Sequence, residues 1–499
     1  MSRAVTTTAS TLALSMLVTP GWSLTAEETW QNWQSQIEAS GQSVTVANES
    51  SSGGVLTLEG VSLSAEMPEA NITGALDTVT FTENADGTVS VVFAPEYELT
   101  ITANPDLGED FSAVVAIRQP GSEIIASDIE TAIRYSIAAP TVEVELKEFT
   151  GAEPDVEISV TATGSDVSGS YSVSKAEPVE LVTDITVGKL EIGMEGGDPV
   201  SEFSVNGEMQ TFTVQSTSIN GTMFGVTDFS EALDRGLAGS GTASYGPTMF
   251  NIDFEDSSES FEMDLASQGG SSAFEISADQ LSYEIIYNAL EFAMSSSDLP
   301  FPKAEAAFNS LTTNVQMPMK PTDDARPFRL KLDMDQFTLA DPIWNLFDPA
   351  AVLPRDPAKI LIDLSGTGRW LIDIFDPETV PNDVPGEVET VELSDLLLQL
   401  AGAELSGAGS FTLDNTDLQT FQGMPRPAGS ANFTLIGANA LLDKLVQMGL
   451  VPQEQAMGAR MMSGMAFRPG EGEDTLVSEI VVEPNGQVTA NGNIIVPGR

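Results

Sequence analysis

From Val55 to Ser64 the chain reads VLTLEGVSLS, apolar and polar residues taking turns. In a strand, successive side chains point to opposite faces, so this pattern fits a sheet with one greasy side and one wet side. The same alternation returns in TVTFTENADGTVSVVF (78–93), YELTITA (97–103), TVEVELKEF (141–149), VSGSYSVSK (167–175) and VTDITVGKLEIGM (182–194). Asp86-Gly87 marks a hairpin turn in the first of these. Asn485-Gly486 marks another inside TLVSEIVVEPNGQVTANGNIIV (475–496). Short runs broken by Gly, Asn, Asp and Pro favour antiparallel meanders over parallel β–α–β units. The expected fold is mainly β: extended twisted antiparallel sheets, as a sandwich or a curled groove, with a few packing helices.

Helical spacing interrupts this pattern in few places. AEETWQNWQSQIEASG carries Trp30, Trp33 and Ile37 on one stripe, with Thr25 as N-cap. VTDFSEALDRGLAG (226–239) reads as a helix capped by Asp228, and it divides an N-terminal β-rich lobe, 26–225, from a C-terminal one, 226–499. QLSYEIIYNALEFAMSS (280–296) places Tyr283, Ile286, Tyr287, Leu290 and Met294 on a helical face. LSDLLLQLAG (393–402), capped by Ser394, is a further expected helix. NALLDKLVQMG and, across Pro452, QEQAMGARMMSGM complete the set.

Composition narrows the chemistry. Seventy-four acids face 20 bases, a net charge of -54, and such a field repels nucleic acid and anionic membrane surfaces. The chain has no cysteine and no histidine, which removes thiol nucleophiles, disulfides, serine–histidine triads and the usual zinc ligands. Catalysis would have to rest on carboxylates, Lys, Tyr, or Ser paired with Lys. No catalytic residue, metal ligand or cofactor is read from the sequence. The acidic clusters EDSSESFEMD (255–264) and GEGED (470–474) lack the calcium-loop pattern and read as solvated loops. At the start, Arg3, the apolar LALSMLV and Pro20-Gly21 have the form of a secretory signal over residues 1–25. Gly21-Trp22-Ser23 and Leu24-Thr25-Ala26 are alternative cleavage sites. No apolar run reaches the about 20 residues a spanning helix needs. The expected location is the periplasm.

Two stretches invite a nucleotide reading: LSGTGRWLID from 364 and LSGAGSFTLD from 405. A phosphate loop sets its glycines between a strand and a helix N-terminus. Here strand-like sequence follows both times, so the glycines mark a repeated structural unit with a bulge or tight strand entry. LAGSGTASY (237–245) is a looser echo.

Several blocks resemble a family of secreted bacterial proteins known as domain of unknown function 2125: ETWQNWQSQIEASGQSV (28–44), DPIWNLFDPAAVLPRDPAKILIDLSGTG (341–368), LSGAGSFTLDNTD (405–417) and the stretch 437–476. The label implies no activity and no functional residues. In texture the closing strands are also similar to AsmA-like periplasmic proteins, in which long antiparallel sheets curl into an apolar groove.

The candidate ligand-binding residues are Trp344, Phe347, Met448, Met457, Met461 and Met465. Trp344 and Phe347 lie in a proline-rich connector and read either as a docking knob or as a corner plug closing a sheet end. Met457, Met461 and Met465 fall four apart on one helical face, suited either to lidding an apolar groove or to filling an irregular core. The leading expectation is a non-catalytic envelope protein that binds lipid or another amphiphile along a sheet concavity. A structural or protein-interaction module of the envelope is the alternative, and a carboxylate-dependent glycan hydrolase the third reading.

Overall fold

The computed structural model describes residues 24–39, 41–67, 70–103, 110–151, 157–221, 228–376 and 385–498. The secretory-signal reading therefore lies, except for Leu24 and Thr25, outside the described residues. Helix α1 (Ala26–Ala39) opens on a reciprocal cap. Thr25 Oγ1 accepts from the Glu28 N–H at 3.1 Å, and the Glu28 carboxylate accepts from the Thr25 N–H at 3.0 Å.

Among the described residues the strands join in one 26-stranded antiparallel sheet. It begins as a meander of β1 (Gln42–Ser52), β2 (Val55–Met67) and β3 (Ala70–Glu83). Two short strands laid end to end share the next position. β4 (Val89–Phe93) pairs with one half of β3 and β5 (Glu96–Ala103) with the other. β7 (Glu123–Asp128) then flanks β4, β6 (Phe111–Arg118) flanks β5, and both pair with the long β8 (Ala132–Thr150).

After β9 (Glu157–Ser174) and β10 (Glu180–Asp198) this plan returns. The long β11 (Ser201–Ile219) is flanked by β12 (Ala238–Tyr245) and β13 (Thr248–Asp256). These pair with β15 (Gly269–Ile276) and β14 (Ser260–Ser267), and those with the long β16 (Gln280–Ser296). The chain visits the four short strands in the same order both times. A plain meander finishes the sheet: β17 (Ala304–Pro318), β18 (Arg326–Leu339), β19 (Ala358–Trp370), β20 (Gly386–Leu400), β21 (Ala403–Asp414) and β22 (Arg426–Ile436). β23 (Arg468–Pro469), β24 (Thr475–Val482), β25 (Val488–Ala490) and β26 (Asn493–Val496) lie beyond β22.

A seam crosses the ladder from β1 to β18. Pairing skips Ala47 opposite Gly60, Gly60 opposite Asp77, Pro140 opposite Asp166, Gly188 opposite Thr211, and Ala289 opposite Asn309. The breaks between the end-to-end strands fall on this same line. Gly60, Asp166, Thr211, Ala289 and Gln336 have φ of 62°, 54°, 48°, 46° and 54°, in the left-handed region. Such a residue shifts the pleat by one step, so side chains three apart across the seam share a face. The pairs Leu58 with Val61 and Leu76 with Val79 do so, all four buried in one core.

Residues directly opposite on paired strands also share a face. Following the register from β5 to β18 gives one row: Tyr97, Ile117, Val144, Ala162, Ile192, Gly207, Phe250, Leu265, Phe292, Ala306 and Leu339. At about 4.8 Å between strands it is roughly 50 Å long. A second row on this face, beyond the seam, reads Tyr287, Leu311, Met334, Ile360, Leu398, Leu405, Leu435 and Leu476. The opposite face of the same strands presents Glu145, Thr161, Gly193, Asn206, Asn251, Asp264, Ala293 and Glu305. Ion pairs such as Lys189–Glu208 at 2.9 Å and Arg329–Asp363 at 2.7 Å lie on that polar side.

Two expected helices are strands. Residues 280–296 form β16: Tyr283, Ile285 and Tyr287 alternate up to the left-handed Ala289, and Leu290, Phe292 and Met294 alternate after it. Residues 393–400 belong to β20, where a bulge between Leu393 and Leu396 puts both on one face, and Ala401-Gly402 is the turn into β21. The helix expected over 226–239 is confined to α2 (Phe229–Asp234), because β12 begins at Ala238. Asp228 does cap α2, accepting from the Glu231 N–H at 2.8 Å, whereas residues 226 and 227 lie outside the described set.

The glycines of the repeated motif stand in β19 and β21, as strand residues. Gly366 faces Phe328 and Gly407 faces Phe433, and a Cβ on either would strike the facing ring. Gly207 under Phe250 repeats the device. Each ring covers the backbone that its glycine leaves bare.

Candidate functional site

Helices sit on the apolar face at three places. At the first strands, α1 lays Trp30 and Trp33 over Phe81, Phe93 and Tyr135. Trp33 Nε1 donates to the Tyr171 hydroxyl at 2.7 Å, and the Tyr135 hydroxyl donates to Asn32 Oδ1 at 2.6 Å. Burial pushes both phenols above their ordinary range. Leu56, Leu58, Phe81, Val89, Val91 and Tyr135 are buried there, giving the largest core among the described residues. At the second place α2 packs Leu233 and Phe229 on Ile276, Leu281, Met317 and Met319.

The third place is a corner after β18. Helix α3 (Asp341–Trp344) carries Pro342 in its first turn, where the fixed φ suits a helix start. The chain then doubles back through Asp348, whose carboxylate accepts from the Val352 and Leu353 N–H groups at 2.9 and 2.8 Å. Burial alone would raise the Asp348 pKa. The two amides and the nearby Arg355 guanidinium outweigh it and hold the group below the carboxylate range. Arg355 pairs with Asp341, donates to Asn345 Oδ1 at 2.9 Å, and lies 5.9 Å from the Trp344 ring centre. Across from it stands α4 (Ala438–Gln447), whose N-cap Gly437 has no side chain to cap with. Asp474 supplies the cap from GEGED, accepting from the Ala440 N–H at 2.9 Å and from Asn439 Nδ2 at 2.8 Å. That stretch was expected to be only a solvated loop.

Between these elements lies a pocket of about 370 Å³. Phe337, Leu339, Trp344, Phe347, Leu353, Leu400, Ala401, Leu441 and Leu445 give it an almost wholly apolar wall. Leu339 is also the last residue of the long apolar row, so row and pocket meet. Larger hollows of about 880, 670 and 600 Å³ lie over the polar face, lined by Glu, Asp, Ser and Thr among small residues.

The six candidate binding residues separate. Trp344 is buried at 7% exposure and Met448 packs beside Leu445 and Leu441, while Phe347 lines the pocket at 43% exposure. Met457, Met461 and Met465 lie on α5 (Gln453–Ala466), 62 to 72% exposed, away from any core. Leu339, Leu353, Ala401, Leu441 and Leu445 were missed. Leu441 and Leu445, four apart in the expected helix NALLDKLVQMG, were the available signal.

A Ser–Lys pair exists under α2. Lys320 Nζ lies 2.7 Å from Ser230 Oγ and 2.9 Å from carboxylate oxygens of both Asp234 and Asp373. Burial alone would lower the lysine pKa, but the two carboxylates outweigh it and hold the ammonium above its ordinary range. A nucleophilic serine needs a neutral amine as base, so this cluster is an ionic latch for α2. Among the described residues there is no group of three or more side chains placed to hold a metal ion. No helix among them is long and apolar enough to cross a membrane.

A family model described as "Uncharacterized protein conserved in bacteria (DUF2125)" matches residues 243–492. No curated protein matches the chain. Among solved structures it is similar to the ferric citrate transporter FecA in the unliganded form, at 8% identity over 91% of this chain and 76% of that one. The TM-score is 0.16, and a likeness at that level carries no argument.

Proposed function

Given that the chain belongs to the DUF2125 family, a membership that brings no activity with it, we propose that it is an exported envelope protein that binds lipid or another amphiphile over the apolar face of its sheet. One observation carries this reading. From Ile117 to Ala306 the apolar row is half-buried throughout, and no helix among the described residues covers it. Water over such a row is costly, and each methylene that replaces it contributes about 0.8 kcal/mol. About six methylenes would contribute roughly 5 kcal/mol before ordering costs.

The direct test is native mass spectrometry of protein released from an envelope extract. The expected result is co-purifying lipid on the wild type and bare protein for Phe292→Asp. Repeated recovery of bare wild type would remove the reading. Export has its own test in fractionation and intact mass. Cleavage after Ser23 leaves the Thr25–Glu28 cap whole and keeps the buried Leu24, whereas cleavage after Ala26 removes both. A periplasmic species starting at Leu24 is the expected product; a cytosolic chain with an intact start would contradict export.

The exposed Met457, Met461, Met462 and Met465 of α5 favour a second reading, an envelope module that docks another protein. Pull-down from the same extract with and without Met461→Glu tests it.

A further inference from the structure

We propose that the pocket between α3 and α4 holds the end of a single acyl chain, belonging to an amphiphile without net negative charge. The inference rests on the groove reading and names its ligand class. Three observations carry it. The pocket wall is apolar and its about 370 Å³ volume is at the small end of ligand sites, a fit for a chain and not for a folded domain. It opens onto the long row through Leu339, with Phe347 and Leu400, 43 and 59% exposed, among its lining residues. Arg355 borders the same pocket, but its guanidinium is committed to Asp341, Asn345 and the Asp348 carbonyl and its Nε is closed off, so a guest meets no free cation there. The head group follows from charge: a chain of net charge -54 repels anionic heads and tolerates zwitterionic ones.

The experiment titrates the full chain with lysophosphatidylcholine and lysophosphatidylglycerol, read by native mass spectrometry. The zwitterion is expected to bind several-fold more tightly than the anionic lipid. Leu445→Trp, which fills the pocket, should lose that binding, and Leu445→Ala, which enlarges it, should keep it with a preference for longer chains. Tighter binding of the anionic lipid would overturn the head-group assignment. If Leu445→Trp binds like wild type while Phe292→Asp does not, the pocket is wrong and the groove stands. If only Leu445→Trp loses binding, the pocket stands and the groove falls. No binding by wild type removes both.

Discussion

One end of the apolar face and its middle differ in what covers them. Under α1, side chains of β2, β3, β4 and β8 are sealed: Leu58, Phe81, Val91 and Tyr135 are fully buried. Across β9 to β17 the same alternation continues, yet Ile192, Phe250, Leu265 and Phe292 are only half-buried. The residue types are alike. What differs is a helix carrying two tryptophans, present at one end and absent from the middle. Apolar alternation thus specifies which side of a strand is greasy, and a separate element decides whether that side becomes core or a surface awaiting cover.

The comparison can be broken by mutation. Trp30→Ala should cost about 3–5 kcal/mol, the loss of a large side chain from a packed core, whereas Phe292→Ala in the uncovered middle should cost about 1 kcal/mol. Urea denaturation measures both, and equal costs would mean that the middle is as well sealed as the end. Gly407→Val should cost about 2 kcal/mol by driving a side chain into the Phe433 ring. Adding Phe433→Ala should recover part of that loss, which identifies the ring as the obstacle. Removing a cap is a smaller change. Thr25→Ala at α1 and Asp474→Ala at α4 should each cost about 1 kcal/mol, but only the first should loosen the sealed core, seen as faster hydrogen exchange in β2 and β3.

Acidity gives the smallest effect. Burial tends to raise the Asp474 pKa, but its hydrogen bonds and Arg460 hold it below its ordinary value. Its contribution is present above the unfolded value of about 3.9 and is lost as pH falls through the lower folded one. The Lys320 latch runs the other way. Its contribution is full below about 10.4 and is lost as pH rises through the higher folded value. Tryptophan and aromatic signals followed from pH 2 to 12 should show α4 loosening at the acid limit and α2 at the alkaline one, with the sealed end unmoved by either.

Much of the sheet was legible because alternation is a strong signal, as at 55–64, 78–93 and 182–194. It misled where the pleat changes phase. In β16 the left-handed Ala289 brings Tyr287 and Leu290 onto one face, and in β20 the bulge does the same for Leu393 and Leu396. Three-residue spacing on one face is also what an amphipathic helix shows, so a shifted strand imitates a helix in one dimension. The corner pocket was only partly legible. Trp344 and Phe347 stood out by type, but Leu339, Ala401 and Leu441 become neighbours only through ladders and turns that join distant stretches of chain. The methionines of α5 were conspicuous by composition, and composition does not say which way a helix faces.

The long–split–split–long unit occurs twice, separated by β9 and β10, and adds a fixed number of strand widths each time. Reach across the greasy side is therefore set by counting modules, not by tuning any one cavity wall. A relative with one more copy would be longer by that increment and could keep the same terminal helices. The molecule is built like a ruler, graduated in strands.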